Sequence, residues 1–179
     1  MNNPPISLVQ QAVAGDRASM DALIDSVHKD LWGFLVGRLR SITEAEDVYQ
    51  ETWMKVTQSL HTLQDAERFR SWLFAIAFNT LRSHKRKDQL MSDVADLEIE
   101  SKGPAPIDQV IAKARWRTLR HALHQLSERQ RETLLLEAVG DLPQKEIAEM
   151  LGDNLNTVKT HIRRARIRLA RQLAEVGLD

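Results

Sequence analysis

Apolar residues recur every three or four positions along most of this chain, and that spacing constrains the fold more than any other feature. Between residues 20 and 39 they form one continuous stripe. The stripe consists of Met20, Leu23, Ile24, Val27, Leu31, Phe34, Leu35 and Leu39. A stripe of this period is typical of a helix that turns one face to a core. No segment alternates as a strand does, so the sequence predicts an all-α protein.

Two more helices are predicted in the N-terminal half. Thr43 and Glu46 have the spacing of a capping box, which places a helix start at Thr43. Its predicted buried side consists of Val48, Tyr49, Thr52, Trp53, Val56 and Leu60. The next helix carries Trp72, Leu73, Ile76, Ala77 and Leu81, and its last residues, 82–87, are rich in cations. Cations favour a helix C-terminus because they interact well with the helix dipole.

The helical period is lost between residues 88 and 107, where acidic residues, two prolines and a glycine accumulate. Such a composition indicates a linker. We therefore expect two small helical domains, residues 1–87 and residues 108–179, joined by a flexible acidic linker at 88–107.

Helical signals resume in the C-terminal part. A helix is predicted from about Asp108, and Ser127 and Gln130 have capping-box spacing at the start of another. Gly140 can end that second helix, because glycine is frequent directly after a helix C-terminus.

The zero net charge of the chain, with 25 basic and 25 acidic residues, conceals an uneven distribution. Residues 1–87, 88–110 and 111–179 carry net charges of +1, −5 and +4. Residues 154–172 contain six basic residues and no acidic one. A one-sided basic segment of this kind is typical of a surface that binds nucleic acid.

Residues 144–171 have the pattern of a helix-turn-helix. Ala148 is small where two helices cross, Gly152 can adopt the left-handed conformation that ends the first helix, and Val158 and Ile162 can seat the second helix on the first. The second helix is therefore predicted to enter the major groove of duplex DNA. A solvated basic face on an ordinary helical bundle is the alternative.

Asn154 can cap the start of this second helix. The exposed residues of the helix have two predicted roles. Residues that face outward near its start can meet base edges: Lys159, Thr160, Arg163 and Arg164. Others are better placed for the DNA backbone: Thr157, Arg166, Arg168 and Arg171.

Eight of the nine aromatic residues lie between Trp32 and Phe78. We expect that Tyr49, Phe69, Trp72 and Phe78 cannot all face the core, and most of these flank a polar loop at residues 61–70. Exposed rings next to arginines can bind an unstacked single strand, because bases stack on rings while cations follow the phosphates. The alternative is that these rings only pack.

Several classes of protein are disfavoured. The chain has no cysteine, and His121 and His124 lack a third ligand nearby, so a metal site is not expected. No phosphate-binding loop or nucleophile with a base is recognisable, so we expect no enzyme. No signal pattern or apolar run long enough for a bilayer occurs, which favours the cytoplasm.

Five motifs together resemble those of the bacterial extracytoplasmic-function, or group IV, sigma factors. They are EAEDVYQETW at 44–53, WLFAIAFN at 72–79, LSERQ at 126–130, KEIAEMLG at 145–152 and TVKT at 157–160. The resemblance spans nearly the whole chain. It implies a sigma-2 and a sigma-4 domain, no catalysis, no cofactor and no membrane insertion, with core RNA polymerase, promoter DNA and an anti-sigma factor as partners.

The resemblance also implies functional residues. Core polymerase would be bound by Glu46, Asp47, Gln50, Glu51 and Met54. Single-stranded −10 DNA would be bound by Arg68, Phe69, Arg70, Trp72 and Asn79. Lys159, Thr160, Arg163 and Arg164 would read the duplex −35 element. His161, Asn156 and Arg163 depart from the common family residues, so the −35 sequence is left open.

Two other functions fit parts of the sequence. A response-regulator or quorum-type activator has a similar C-terminal domain but carries a receiver or ligand domain in place of these N-terminal helices. A non-DNA-binding sigma mimic or adaptor would share the helices, but it has no use for a basic recognition helix.

Overall fold

The computed structural model describes residues 3–88 and 107–177, and describes side chains at 3–84 and 114–177. Within these ranges the chain forms α helices and two short 3-10 turns, and it has no strand, which confirms the all-α prediction. The helices are α1 Ile6–Val13, α2 Arg17–Arg38, α3 Ile42–Ser59, α4 Phe69–Asp88, α5 Ile107–His124, α6 Glu128–Ala138, α7 Gln144–Leu151 and α8 Leu155–Glu175. The 3-10 turns are Leu60–Thr62 and Ala66–Arg68.

Side-chain caps mark the starts of several helices, among them α3 and α6. The capping box of Ser127 and Gln130 is present at the start of α6, as predicted. At the start of α3 the cap is Ser41, whose hydroxyl accepts a hydrogen bond from the Glu44 backbone N–H, so the predicted start at Thr43 was two residues too late for the cap. Ser41 offers the same type of cap and extends the helix.

The helices form two helical domains, as the sequence predicted. In the first, α2, α3 and α4 pack together, and α1 packs on α2. In the second, α8 packs against α5, α6 and α7. The predicted linker, residues 88–107, lies almost entirely outside the described residues. No helix in the described ranges is long and apolar enough to cross a membrane.

The two domains pack directly on each other through α2, which contacts both α5 and α6. Their buried apolar residues form one continuous cluster. At Gly37 the backbone of α2 comes so close to α6 that an added Cβ would lie 2.9 Å from Leu135 Cδ1. One turn earlier, a Cβ on Gly33 would lie 3.3 Å from Val139 Cγ1. The interface is therefore closely packed, as protein interiors are.

The four aromatic residues Tyr49, Phe69, Trp72 and Phe78 do not all face the core, as expected, although two of them are buried. Phe69 and Phe78 are buried, at 0% and 3% exposure, whereas Tyr49 and Trp72 are half-buried. The reason is that α4 is covered on more than one side, because it contacts both α2 and α3 and its Phe74 ring also approaches Gly140 of the second domain. Core packing accounts for these two rings.

Candidate DNA and polymerase interfaces

The helix-turn-helix consists of α7 and α8. Gly152 ends α7 with φ of +67°, a left-handed conformation that favours glycine, as predicted. Asn154 then caps α8, and its side-chain oxygen accepts a hydrogen bond of 2.8 Å from the Thr157 backbone N–H. Val158, Ile162 and Ala165 are buried and fix α8 on the domain. The opposite face of α8 is thereby directed to solvent.

The exposed face of α8 carries the predicted base-contacting residues. Lys159, Thr160, Arg163 and Arg164 are all exposed. The three cations form no ion pair with any residue that the structure describes. Near the start of the helix an open groove of about 490 Å³ is lined by Asn154, Asn156, Thr157, Thr160, His161 and Arg164. Free cations and hydroxyl groups at a helix N-terminus favour contact with an anion such as DNA.

The predicted backbone-contacting cations differ in their surroundings. Arg168 is exposed. Arg171 pairs within α8, its Nε lying 3.1 Å from Glu175 Oε1. Arg166 Nη2 lies 2.6 Å from Oε2 of Glu137, a residue of α6. Arg166 therefore ties the recognition helix to the rest of its domain in this structure.

The polar loop before α4 borders a second groove, of about 400 Å³. Arg68 and Trp72, two of the predicted −10 residues, line it together with residues 62–65. Asn79 is exposed on α4 and lies seven residues after Trp72, on the same side of the helix. The structure thus brings these three residues to one surface. The opposite wall of the groove comes from Glu146, Glu149 and Met150 of α7.

The other two predicted −10 residues are buried. Phe69 has no exposed surface, and Arg70 is 3% exposed. Arg70 Nε donates to the Gly140 carbonyl at 3.0 Å, and its Nη2 lies 2.8 Å from Asp30 Oδ2. Arg70 therefore joins the two domains at the C-terminal end of α6. Neither side chain reaches the groove surface in this arrangement, and their contact with DNA stays a prediction.

The predicted polymerase-binding residues share one face of α3. Glu46, Asp47 and Gln50 are exposed, and Met54 is 61% exposed. Glu51 is half-buried and pairs with Lys55 at 2.7 Å. The buried side of α3 is formed by other residues, among them Ala45, Val48, Thr52 and Val56. Single exposed apolar side chains are normal on protein surfaces, so the polymerase-binding role of this face stays a prediction.

A buried ion pair between the domains was not predicted from the sequence. Arg38 Nη2 of α2 lies 2.7 Å from Glu132 Oε1 of α6, and both side chains are almost fully buried. The sequence does contain a signal for this pair, because Arg38 follows Leu31 and Phe34 at helical spacing and so falls on the buried apolar stripe. A charged residue at a core position requires a partner.

A histidine beside this pair has a perturbed pKa. Burial, together with the positive charge of Arg131, lowers the pKa of His124 to about 4. Arg131 Nη1 lies 2.8 Å from His124 Nδ1, which fits a neutral ring that accepts this hydrogen bond. Burial also lowers the pKa of Arg131 itself. In the described part of the chain, no group of three or more potential metal ligands occurs.

Comparisons with known proteins agree with the presence of two helical domains. Residues 23–90 match the family model of sigma-70 region 2, and residues 116–169 match that of sigma-70 region 4. The match to region 2 covers the N-terminal helices, which a response-regulator or quorum-type activator does not have.

Curated relatives match over most of their lengths. The RNA polymerase sigma factor CnrH of Cupriavidus metallidurans is 30% identical over 72% of this chain and 72% of its own. The ECF RNA polymerase sigma factor SigW of Bacillus subtilis is 26% identical over 94% of this chain and 96% of its own.

Solved structures share the fold. A structure of CnrH in complex with the cytosolic domain of CnrY is 25% identical, with a TM-score of 0.68, and the match covers 95% of this chain and 97% of that one. The sigma factor RpoE of Bartonella quintana, solved with the anti-sigma factor NepR, is 24% identical with a TM-score of 0.70, over 87% and 96% of the two chains. With two sigma-70 regions in order and relatives that match over most of their lengths, the chain belongs to the sigma-70 family of RNA polymerase sigma factors, among its extracytoplasmic-function members.

Proposed function

We propose that this chain is a group IV sigma factor that acts in the cytoplasm, binds core RNA polymerase and directs it to promoters with a −35 and a −10 element. The observation that carries the proposal is the free basic face of α8. Lys159, Arg163 and Arg164 are exposed and have no ion-pair partner among the described residues. An adaptor that only sequesters a regulator would have no need of this face.

We assign the functions to three segments of the chain. Residues 1–87 form the sigma-2 domain, residues 88–107 the linker, and residues 108–179 the sigma-4 domain. The exposed face of α3, centred on Met54, binds core polymerase. The loop at 61–70, with Trp72 and Asn79, captures bases of the opened −10 element, while the first turns of α8 read the −35 element.

The physical basis of promoter opening is base capture. Unstacking a base from duplex DNA costs a few kcal/mol, and a pocket that stacks or binds the flipped base offsets this cost without nucleotide hydrolysis. Trp72, half-buried at the groove wall, offers such a stacking surface. This sigma-2 role needs no catalytic group.

An anti-sigma factor is the proposed regulator. Two of the similar structures, those of CnrH with CnrY and of RpoE with the anti-sigma factor NepR, contain a second protein. In this proposal the anti-sigma factor, and not a cofactor or sensor residue of this chain, receives the inducing signal.

The polymerase contact can be tested through Met54. We expect the wild-type protein to bind core polymerase in a native gel and Met54→Asp to bind much more weakly, because a charge would replace the exposed apolar contact. Ile6→Asp is the matched control, since Ile6 is also exposed, at 45%, but lies on α1. Equal binding of both variants and the wild type would reject α3 as the docking face.

A further inference from the structure

The face of α8 that points away from its domain begins with a neutral residue, Asn156. The inner line of the helix consists of three buried residues, Val158, Ile162 and Ala165. With 3.6 residues per turn, the opposite line runs through Asn156, Thr160 and Arg163. All three of these residues are exposed. Asn156 is the second residue of α8, so it lies in the first turn of the surface that we assign to the −35 element.

The side-chain amide of Asn156 is not used within the described protein. The cap of α8 is supplied by Asn154, whose side-chain oxygen accepts a hydrogen bond of 2.8 Å from the Thr157 backbone N–H. The backbone carbonyl of Asn156 accepts a hydrogen bond of 2.8 Å from the Thr160 hydroxyl. Its amide has no hydrogen-bond partner in residues 3–84 and 114–177. An exposed amide with no capping task is available to a ligand.

Asn156 differs chemically from its neighbours in the groove of about 490 Å³ at the start of α8. The Thr160 hydroxyl donates to the Asn156 carbonyl, so its hydrogen is already engaged. Arg164 offers hydrogen-bond donors alone. The Asn156 amide offers two N–H donors and one carbonyl acceptor in a single plane. It therefore matches a partner that presents an acceptor next to a donor.

Adenine is the base that presents this pair in the major groove. Its N7 atom accepts a hydrogen bond and its N6 amino group donates one, and an asparagine amide can bind both at once. Guanine presents two acceptors, N7 and O6, which match arginine and lysine. Lys159, Arg163 and Arg164 therefore favour guanine or phosphates. An adenine preference in this part of the groove has to come from another residue.

We propose that Asn156 is a specificity-determining residue that reads one adenine of the −35 element. Its Nδ2–H donates to adenine N7, and its Oδ1 accepts a hydrogen bond from the N6 amino group. The proposal rests on the proposed function, because it requires α8 to lie in the major groove. Asn156 is also one of the three positions at which this chain departs from the common family residues. The contact is therefore expected of this chain and not of the family as a whole.

The first test measures base preference with the holoenzyme. Core polymerase with this protein would transcribe a promoter library in which each −35 position carries all four base pairs. We expect the wild type to prefer an adenine at one position by about tenfold, as a bidentate contact does. Asn156→Ala should lose the preference at that position and keep the preferences at the others. Alanine is a good helix former, so α8 should be retained.

A second test identifies the contacting atom of the base. 7-Deaza-adenine pairs with thymine but has a carbon in place of the N7 acceptor. At the preferred position it should weaken binding of the wild-type holoenzyme to about the level of Asn156→Ala, and it should not weaken binding of that variant further. If Asn156 only shaped α8, the effects of the two changes would add.

A matched control removes a similar amide elsewhere. Gln10 is exposed on α1 of the first domain, and Gln10→Ala should retain every base preference of the wild type. Loss of the adenine preference in Gln10→Ala would show that the preference does not depend on the Asn156 contact.

The outcomes distinguish a base contact from other roles. If Asn156→Ala weakens transcription equally at every −35 sequence, Asn156 contacts a phosphate and the proposal is wrong. The proposal is also wrong if the variant keeps the adenine preference. If the wild-type holoenzyme shows no −35 preference at all, the proposed function itself is overturned.

Discussion

Arg38 and Glu132, which are 94 residues apart in the chain, form a buried ion pair of 2.7 Å between the two domains. Their side chains are 1% and 6% exposed. Arg129 Nη1 lies 3.2 Å from the other carboxylate oxygen of Glu132, and Glu128 lies 3.4 Å from Arg38. This small network lies in the interface between the domains, and the first prediction below depends on it.

Arg38→Met should destabilise the protein, because it leaves the Glu132 carboxylate buried with only Arg129 as partner. Removal of one member of a buried pair costs about 3–5 kcal/mol, and the remaining arginine places the expected loss near the lower end. Urea unfolding would measure it. Arg38→Met/Glu132→Leu should recover much of the loss, and Arg40→Met, at the exposed neighbouring position, should change little. If Arg38→Met has the same free energy of unfolding as the wild type, the ion pair does not stabilise the contact between the domains.

Gly37→Ala should weaken the contact between α2 and α6. The added Cβ would lie 2.9 Å from Leu135 Cδ1, so this side chain or the helix must move. Overpacking of this kind costs about 1–3 kcal/mol, which exceeds the gain of roughly 1 kcal/mol from replacing glycine by alanine in a helix. Gly33→Ala is the control, because its Cβ would meet Val139 at 3.3 Å and should cost less. If Gly33→Ala lowers the free energy of unfolding more than Gly37→Ala does, the packing at Gly37 is not the closer of the two.

The stability of the protein should fall as the pH decreases from about 6.5 towards 4, and His124 should account for part of this fall. The pKa of His124 is about 4 in the folded protein and 6.5 when unperturbed, so the unfolded chain binds the extra proton in this range. Above pH 6.5 His124 is neutral in the folded and the unfolded protein, so it no longer makes the stability depend on pH.

Urea midpoints at pH 7 and pH 5 would test the role of His124. We expect His124→Gln to show a smaller difference between the two pH values than the wild type, because glutamine does not titrate. His121→Gln, at an exposed position of the same helix, should behave as the wild type does. An unchanged pH difference in His124→Gln would show that other groups cause the fall.

Two arginines of α8 should affect DNA binding differently. Arg163→Ala should reduce the preference of the holoenzyme for the correct −35 sequence by about 1–3 kcal/mol, because it removes a base contact. Arg171→Ala should lower affinity for all sequences and flatten the salt dependence, because it removes a phosphate contact. Binding to matched and scrambled duplexes over a salt series would measure both. Equal losses on every sequence from both variants would contradict these assignments.

Much of the fold could be predicted from the sequence because it is encoded locally. The apolar stripe of α2, the capping box at Ser127 and the left-handed Gly152 each depend on residues within one or two turns. The short helix α1 was missed, since its eight residues include no capping side chain and start directly after Pro5. The family motifs also indicated the family correctly.

The arrangement of the domains could not be predicted, because it depends on pairs far apart in the chain. The family resemblance implies that Arg70 contacts −10 DNA, and nothing near it in the sequence indicates that its side chain binds Gly140 of the other domain. Local periodicity does not show which of the rings of Tyr49, Phe69, Trp72 and Phe78 are buried, because it does not reveal that α4 is covered on several sides. The contact between Ser71 and Glu146 likewise has no local signal.

Transcription from a genomic DNA library by core polymerase, with and without this protein, tests the central claim most directly. The account predicts specific start sites that depend on the protein and share one −35 and one −10 sequence at a fixed spacing. Tight binding of the protein alone to duplex DNA, with no new start sites when core polymerase is present, would contradict the account and favour an activator.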